Sequence, residues 1–466
     1  MSSSFDHNTF ISPFTWRYGS ERMRSIYSET HKRSLLRTIW IAIASVQMKA
    51  GLVKTEQVED LIAHKDEIDI DRASEIEKEI HHDLMAEIKT YAEKCPTGGP
   101  IIHLGSTSMD VLDNMDVMRQ KEALIEIRRL TIQLLEALLK RIEEEKDRPC
   151  MAFTHIQPAE PTTIGYRLAQ TAQDLIADLE DLDRMIARIR GKGIKGAVGT
   201  SASYMALLEG TGLSSFEFEK EVMDQLNIEA FEGATQVYPR KQDYRIGTIL
   251  SGLCASLNKF ALDLRLMQSP PVGEWSEPFG ARQVGSSAMP FKRNPINSEK
   301  IDSLCRFAAS QVDVLWHNSA NMILERTLDD SANRRIVLPQ LFLTCDEVLN
   351  TTVRLVRNMN FHYPAIEKNL ALYGPFAATE KVLMALGRKG ADRQKMHEVI
   401  REHSLKAWPA VQNGQSNPLL SLLSGDDRIL AYLDKDEIAS LLDASDYVGD
   451  APLRAQRIAD EIRKVI

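Results

Sequence analysis

The sequence predicts an all-α protein of three helical domains, the central one a bundle of long helices. Apolar side chains recur at spacings of three and four over long stretches, which places them on one face of a helix. Glycine and proline separate these stretches, as at Gly191-Lys192-Gly193 and Ser269-Pro270-Pro271. An alternating, β-branched run of the kind that signals a parallel sheet is missing from the middle of the chain, so no doubly wound sheet is expected.

Residues 1–112 read as an N-terminal domain of shorter helical segments. The central domain, 113–361, opens with a helix over 113–147, where Leu124, Ile127, Leu134, Leu138 and Ile142 form one stripe and Leu130, Leu135 and Leu139 a second. Two stripes imply burial between neighbouring helices, and at 1.5 Å per residue the helix is expected to run roughly 50 Å. The same periodicity recurs over 163–190, 243–268, 297–325 and 336–359. Five such helices make a bundle. Residues 362–466 return to shorter segments, containing Tyr373-Gly374-Pro375 and Gly425-Asp426-Asp427, and form the C-terminal domain.

The chain has 466 residues, 43% of them hydrophobic and 26% charged, a composition that suits a folded globular protein rather than a disordered or fibrous one. Its net charge of −9 argues against nucleic acid as a partner, while leaving room for a local basic pocket. Cys95, Cys150, Cys254, Cys305 and Cys345 are scattered and never in CxxC spacing, which suits a reducing compartment. The N-terminal MSSSFDHNTF has no basic region leading into an apolar run, and no stretch approaches about 18 uninterrupted apolar residues. A soluble, cytoplasmic chain with no membrane partner is the expectation.

Two motifs are set aside. GKGIKG at 191–196 matches the glycine pattern of a dinucleotide site, but that site needs a strand before it and a helix directly after, whereas a helix precedes it here. An interhelical loop is expected. HEVIREH, beginning at His397, suggests a zinc helix, but the second ligand position is Arg401, and His403 lies about 240° around from His397.

The stretch that carries chemistry is Gly285-Ser286-Ser287-Ala288-Met289-Pro290-Phe291-Lys292-Arg293-Asn294-Pro295, a flexible loop near 285–297. Small residues beside a proline-bounded cationic run describe a loop able to close over an anion, with Asn297, Ser298 and Glu299 starting the next helix. A basic surface loop would also account for Lys292 and Arg293. This stretch resembles the central motif of the fumarase/aspartase superfamily, written GSSxMPxKxN. Two further segments resemble that superfamily in order: His103-Leu104-Gly105-Ser106-Thr107-Ser108-Met109-Asp110, and Thr154-His155-Ile156-Gln157-Pro158.

Within the superfamily, Glu325-Arg326-Thr327-Leu328-Asp329-Asp330-Ser331-Ala332-Asn333-Arg334-Arg335 resembles the branch that acts on succinylated purine nucleotides. Arg17-Tyr18, His82-Asp83, and Gln236 ahead of Tyr238 and Arg240-Lys241 add to the likeness. The resemblance implies a homotetramer with a twenty-helix core, active sites shared by three subunits, and no cofactor or metal. Its implied reaction is β-elimination of fumarate from adenylosuccinate, giving AMP, and from SAICAR, giving AICAR, in de novo purine synthesis. Argininosuccinate lyase, or another member of the superfamily, is the alternative.

Such an elimination needs a base, an acid, and cationic stabilisation of a carbanion-like intermediate. The resemblance gives these roles to Ser286, to His155, and to Lys292 with Asn294. A serine hydroxyl is a poor base unless a cation and backbone N–H groups stabilise its alkoxide. Glu299 is implied to orient the His155 imidazole, and His82 to be a catalytic pocket residue, although His82 also reads as part of an exposed helix face. His103 fits a pocket group and a helix-flanking hydrogen-bonder equally.

The implied substrate carries phosphate and two carboxylates, for which arginine is the efficient partner. Arg17, Arg326 and Arg335 are the candidates, although Arg326 and Arg335 also read as surface partners of Glu325 and Asp329. Ser331, Thr107 and Ser108 can donate to these anionic groups. Tyr18, His81, Asp83, Gln157 and Gln236 complete the implied binding set. One departure stands out: Lys300 occupies a position that is often arginine in the family, keeping the charge and losing the planar fork.

Overall fold

The computed structural model describes residues 8–280 and 282–466. Helix dominates it, as expected. The helices of nine residues or more among the described residues are, in chain order, α1 Glu29–Lys49, α2 Thr55–Ala63, α3 Ile70–Ile80, α4 Asp83–Lys94, α5 Ser108–Glu145, α6 Ile164–Arg188, α7 Ser215–Leu226, α8 Lys241–Gln268, α9 Ile296–Ala320, α10 Ser331–Asn358, α11 Tyr363–Arg388, α12 Arg393–Gln412 and α13 Ala451–Val465. The five predicted bundle helices are α5, α6, α8, α9 and α10.

Both stripes of α5 behave as their spacing demands. Leu124, Ile127, Leu134, Leu135, Leu138 and Ile142 are completely buried, and Leu139 is half-buried. Each full burial stabilises the fold by about 1.5–3 kcal/mol before entropy is counted. Two helix starts show side-chain capping of the expected kind. The Ser28 hydroxyl accepts from His31 N–H at 3.1 Å to open α1, and Ser214 and Glu217 form a capping box on α7.

The described structure divides into two compact units. Of the described residues, the first comprises those up to Leu130, Asp178–Ala255 and Leu304–Asn350, and the second Thr131–Ala177, Ser256–Ser303 and Thr351–Ile466. The divisions between stretches fall inside α5, α6, α8, α9 and α10. Within the first unit, Gly247 packs closely on Leu315: a Cβ there would stand 2.5 Å from Leu315 Cδ1, which would have to shift. Within the second, the Tyr363 hydroxyl donates to Glu145 at 2.5 Å, and Arg141 donates to the carbonyls of Val356, Arg357 and Met359.

Two features depart from the sequence reading. A β-hairpin, absent from the expectation, joins α5 to α6: β1 Pro149–Thr154 pairs antiparallel with β2 Gln157–Thr163. Its strands are short and β2 carries Pro158 and Pro161, residues that argue against a strand and survive here in a two-stranded ribbon. The terminal regions also hold longer helices than expected: α1 has 21 residues, α11 26 and α12 20. Gly374-Pro375 does not break α11. A Cβ at Gly374 would lie 2.7 Å from the Ala444 Cβ, so the glycine serves close packing inside a continuous helix. Among the described residues, no helix is long and apolar enough to cross a membrane.

Candidate active site

In the first unit the segment 103–110 is organised by one buried carboxylate. Asp110 accepts from the N–H groups of Thr107, Lys195 and Gly196 at 2.9, 3.2 and 3.1 Å, from the Tyr204 hydroxyl at 3.2 Å, and from the Lys192 ammonium. Lys192 and Asp110 are both wholly buried. The GKGIKG stretch starts on a two-residue strand, Arg190–Gly191, paired parallel with Glu229–Ala230, which was not expected; no helix follows it directly, and its Lys192 and backbone lock the first motif in place. The lock leaves Thr107 and Ser108 half-buried at the N-terminus of the 38-residue α5, a position that favours a carboxylate.

His103 adopts a left-handed backbone, φ 70°, and its Nδ1 accepts from Trp40 Nε1–H at 3.1 Å. The ring is a hydrogen-bond acceptor, and burial pushes its pKa below the ordinary histidine value. His82 lies not on a helix face but at the N-cap of α4, because His81 ends α3 in the left-handed conformation, φ 53°. The His82 Nδ1 accepts from Met85 N–H at 3.3 Å, and the residue is exposed. Asp83 follows and binds Arg335 at 3.0 Å.

Arg326 and Arg335 do not pair with Glu325 and Asp329. Arg326 binds Asp330 at 2.6 Å, and the other Asp330 oxygen accepts from Arg240 Nε at 2.7 Å. Arg240 also grips Asp113 through two bonds at 3.0 and 3.1 Å, and Arg334 binds Asp243 at 2.8 Å. Burial pulls the Asp330 carboxyl upward, but Arg240, with Arg326 and Arg334, outweighs it and holds the group below the usual carboxylate range. Gln236 N–H donates to the Glu325 carbonyl at 3.4 Å, which brings Gln236 beside the Arg326 segment. Ser331 opens α10, half-buried. Arg17 is exposed, with its guanidinium 5.7 Å from the Trp16 ring and 5.9 Å from that of Tyr18.

In the second unit His155 and Ile156 form the two-residue tip of the hairpin, between the paired Thr154 and Gln157. Both have positive φ, 53° and 60°, the signature of a type I′ turn. For a β-branched isoleucine that conformation is an outlier, so the turn presenting His155 stores strain. His155 and Gln157 are exposed, and the Gln157 amide donates to the Ile156 carbonyl at 3.3 Å.

The Ser286 hydroxyl accepts from the N–H groups of Ala288 and Met289 at 3.3 and 3.1 Å. These are donors of the kind an alkoxide requires. The loop is pinched at its base: a Cβ on Gly285 would stand 2.1 Å from the Lys292 carbonyl, and the Asn294 amide donates to the Gly285 carbonyl at 3.0 Å. Lys292 is exposed, Glu299 is exposed in the first turn of α9, and Lys300 beside it is half-buried. Among the described residues His155 makes no hydrogen bond to Glu299.

A residue that sequence reading missed anchors the loop's far end. Glu277, buried, accepts from Asn297 N–H and side chain at 3.2 and 2.8 Å and from Ser298 N–H and hydroxyl at 2.6 Å each. It closes the positive N-terminus of α9. No local pattern around Trp275-Ser276-Glu277 marks it. A second unpredicted group joins Asp60, His64 and Cys95, whose ligand atoms all lie within 4.8 Å of one another. Its members are already engaged: Asp60 accepts from Thr97 and Gly98 N–H, and burial, aided by Asp60, pushes the Cys95 thiol up to about 12.

The family described as Lyase matches residues 23–309, and that described as Adenylosuccinate lyase C-terminus matches 375–458. The adenylosuccinate lyase of Schistosoma mansoni is 38% identical over 429 residues, covering 90% of this chain and 88% of its own. This chain belongs to the adenylosuccinate lyase family. The Saccharomyces cerevisiae adenylosuccinate lyase is 35% identical, with 98% of this chain and 95% of the yeast protein aligned. A 3-carboxy-cis,cis-muconate lactonizing enzyme from Pseudomonas putida superposes with TM-score 0.85 at 22% identity, covering 97% of this chain and 99% of that one, which establishes a shared fold. Membership in the adenylosuccinate lyase family makes the chain a carbon–nitrogen lyase of the fumarase/aspartase superfamily.

Proposed function

We propose that this chain cleaves adenylosuccinate to AMP and fumarate and, by the same chemistry, SAICAR to AICAR and fumarate, within purine nucleotide biosynthesis. The observation that carries the reading is the Ser286 hydroxyl accepting two backbone N–H groups within GSSAMPFKRNP, in a chain of the adenylosuccinate lyase family.

In the proposed mechanism Ser286, as alkoxide, removes the proton from the succinyl carbon beside the departing nitrogen-bearing carbon. Negative charge builds on the adjacent carboxylate and is met by Lys292 and Asn294. The carbon–nitrogen bond then breaks, the carbon–carbon double bond of fumarate forms, and His155 protonates the leaving nitrogen. Arg17, Tyr18, Arg326, Ser331 and Arg335 hold the nucleotide side, while Thr107, Ser108 and Gln157 hold the succinyl side. His81, His82, Asp83, Gln236 and Lys300 complete the pocket, with His82 close to the chemistry.

Glu299 is proposed to orient His155 across subunits of a homotetramer, each site taking residues from three chains. The exposure of both side chains within one chain, without a bond between them, supports that arrangement. The buried thiols of all five cysteines fit the reducing cytoplasm. We keep the sequential division at 1–112, 113–361 and 362–466 as the proposed domain order.

Fumarate release with adenylosuccinate, SAICAR and argininosuccinate, assayed in parallel on purified protein, tests the assignment. Turnover of both purine substrates and none of argininosuccinate is expected. Release from argininosuccinate alone would overturn it.

A further inference from the structure

A groove of about 690 Å³ opens in the first unit between the C-terminal half of α6 and the first turns of α8. Five cations line it, Arg184, Arg188, Arg190, Lys241 and Arg245, against the single carboxylate of Asp181. That is a local inversion on a chain whose net charge is −9. Met185, Phe231, Pro239 and Ile249 supply its apolar lining, which forms the floor.

Two of the cations are neutralised nearby. Arg184 binds Glu180 and Asp181 at 2.8 and 3.0 Å, and Arg190 binds Glu229 at 3.1 Å. The other three are not: among the described residues Arg188 and Arg245 form no ion pair, and Lys241 has only the Tyr244 ring, 4.8 Å from its Nζ. Asp243, the acid in the first turn of α8, points away and is consumed by Tyr238 and Arg334. The N-terminus of the 28-residue α8 therefore adds its positive end to an uncompensated cationic wall. Basic residues at the end of α6 do offset that helix's own dipole, which accounts for Arg188 but not for Lys241 and Arg245.

We propose that this groove binds a nucleoside polyphosphate, with the phosphates on Arg188, Lys241 and Arg245 and the base over the apolar floor near Phe231. Three free cations match the charge of a di- or triphosphate better than that of a monophosphate. The volume lies within the ordinary range for small-molecule pockets. None of its lining residues is among those assigned above to the elimination.

The test is calorimetric binding of ATP to the full-length protein, with AMP present at saturation to occupy the proposed substrate site. One ATP per chain is expected, with affinity falling as salt is raised. Arg188→Glu combined with Arg245→Glu should weaken binding at least tenfold, and Lys241→Gln alone severalfold, while the same charge change at exposed Arg457 (Arg457→Glu) leaves it intact. Inorganic tripolyphosphate, which leaves the floor uncovered, should bind at least tenfold more weakly than ATP. No ATP binding beside AMP, or equal loss in the Arg457 variant, would overturn the site. Equal affinity for tripolyphosphate would overturn the nucleotide assignment.

Discussion

Asp83 and Arg335 bind each other at 3.0 Å although 252 residues separate them, and the neighbouring Arg334 turns inward to Asp243. Successive residues on α10 thus serve opposite ends: Arg334 is buried, while Arg335 is 63% exposed at its side chain and is steered by Asp83. Asp83→Asn should leave stability within about 1 kcal/mol, as for other exposed pairs. Its KM for adenylosuccinate should rise roughly tenfold with a smaller change in kcat, a loss of about 1.4 kcal/mol in binding. Steady-state kinetics with a parallel thermal melt checks both.

Glu277 holds the far end of the serine loop through four hydrogen bonds to Asn297 and Ser298. Glu277→Ala removes the buried acceptor and leaves these donors unsatisfied, so destabilisation of about 2–4 kcal/mol is expected. At temperatures where the variant remains folded, kcat should fall more than KM changes, because Ser286 and Lys292 lose their fixed base. Unfolding in urea and single-turnover kinetics separate the two effects.

The hairpin tip holds Ile156 at φ 60°. Ile156→Gly relieves left-handed strain of about 1–2 kcal/mol and incurs about 0.5–1 kcal/mol of extra chain entropy, for a net stabilisation near 0.5–1 kcal/mol. Turnover should nevertheless drop severalfold, since His155 is no longer held in one turn geometry. Melting temperature and kcat are expected to move in opposite directions.

His103 is neutral in the fold, with Trp40 donating to its Nδ1 and burial depressing its pKa. The unfolded chain therefore takes up a proton more readily than the folded one near the ordinary histidine value of about 6.5. Its contribution to stability is present above that pH and is lost as pH falls below it. His103→Asn keeps an acceptor and tolerates positive φ, so its stability should decline less steeply between pH 7 and about pH 5. Denaturant midpoints for both proteins across that window give the comparison.

The five bundle helices were legible because buried stripes repeat every three or four residues, as Leu124 to Ile142 do on α5. The hairpin was not. A type I′ turn is normally announced by Asn-Gly, and here His155-Ile156 occupies it with positive φ at both residues. The loop that carries Ser286 and Lys292 was legible as a loop because its motif is local. Glu277 could not, since its partners Asn297 and Ser298 lie 20 and 21 residues away and a lone carboxylate carries no pattern. Gly374-Pro375 read as punctuation, yet it proved to be a close approach to Ala444 inside α11.

In the proposed reaction a serine-loop elimination releases fumarate from a succinylated purine nucleotide. Its most direct test is the simultaneous measurement of AMP and fumarate formed from adenylosuccinate by the purified wild type and by Ser286→Ala. The two products should appear in equal amounts with the wild type, and Ser286→Ala should be slower by about 10²–10⁴-fold with the fold intact. Absence of fumarate from the wild type, or near-normal turnover by Ser286→Ala, would rule out the serine-loop elimination.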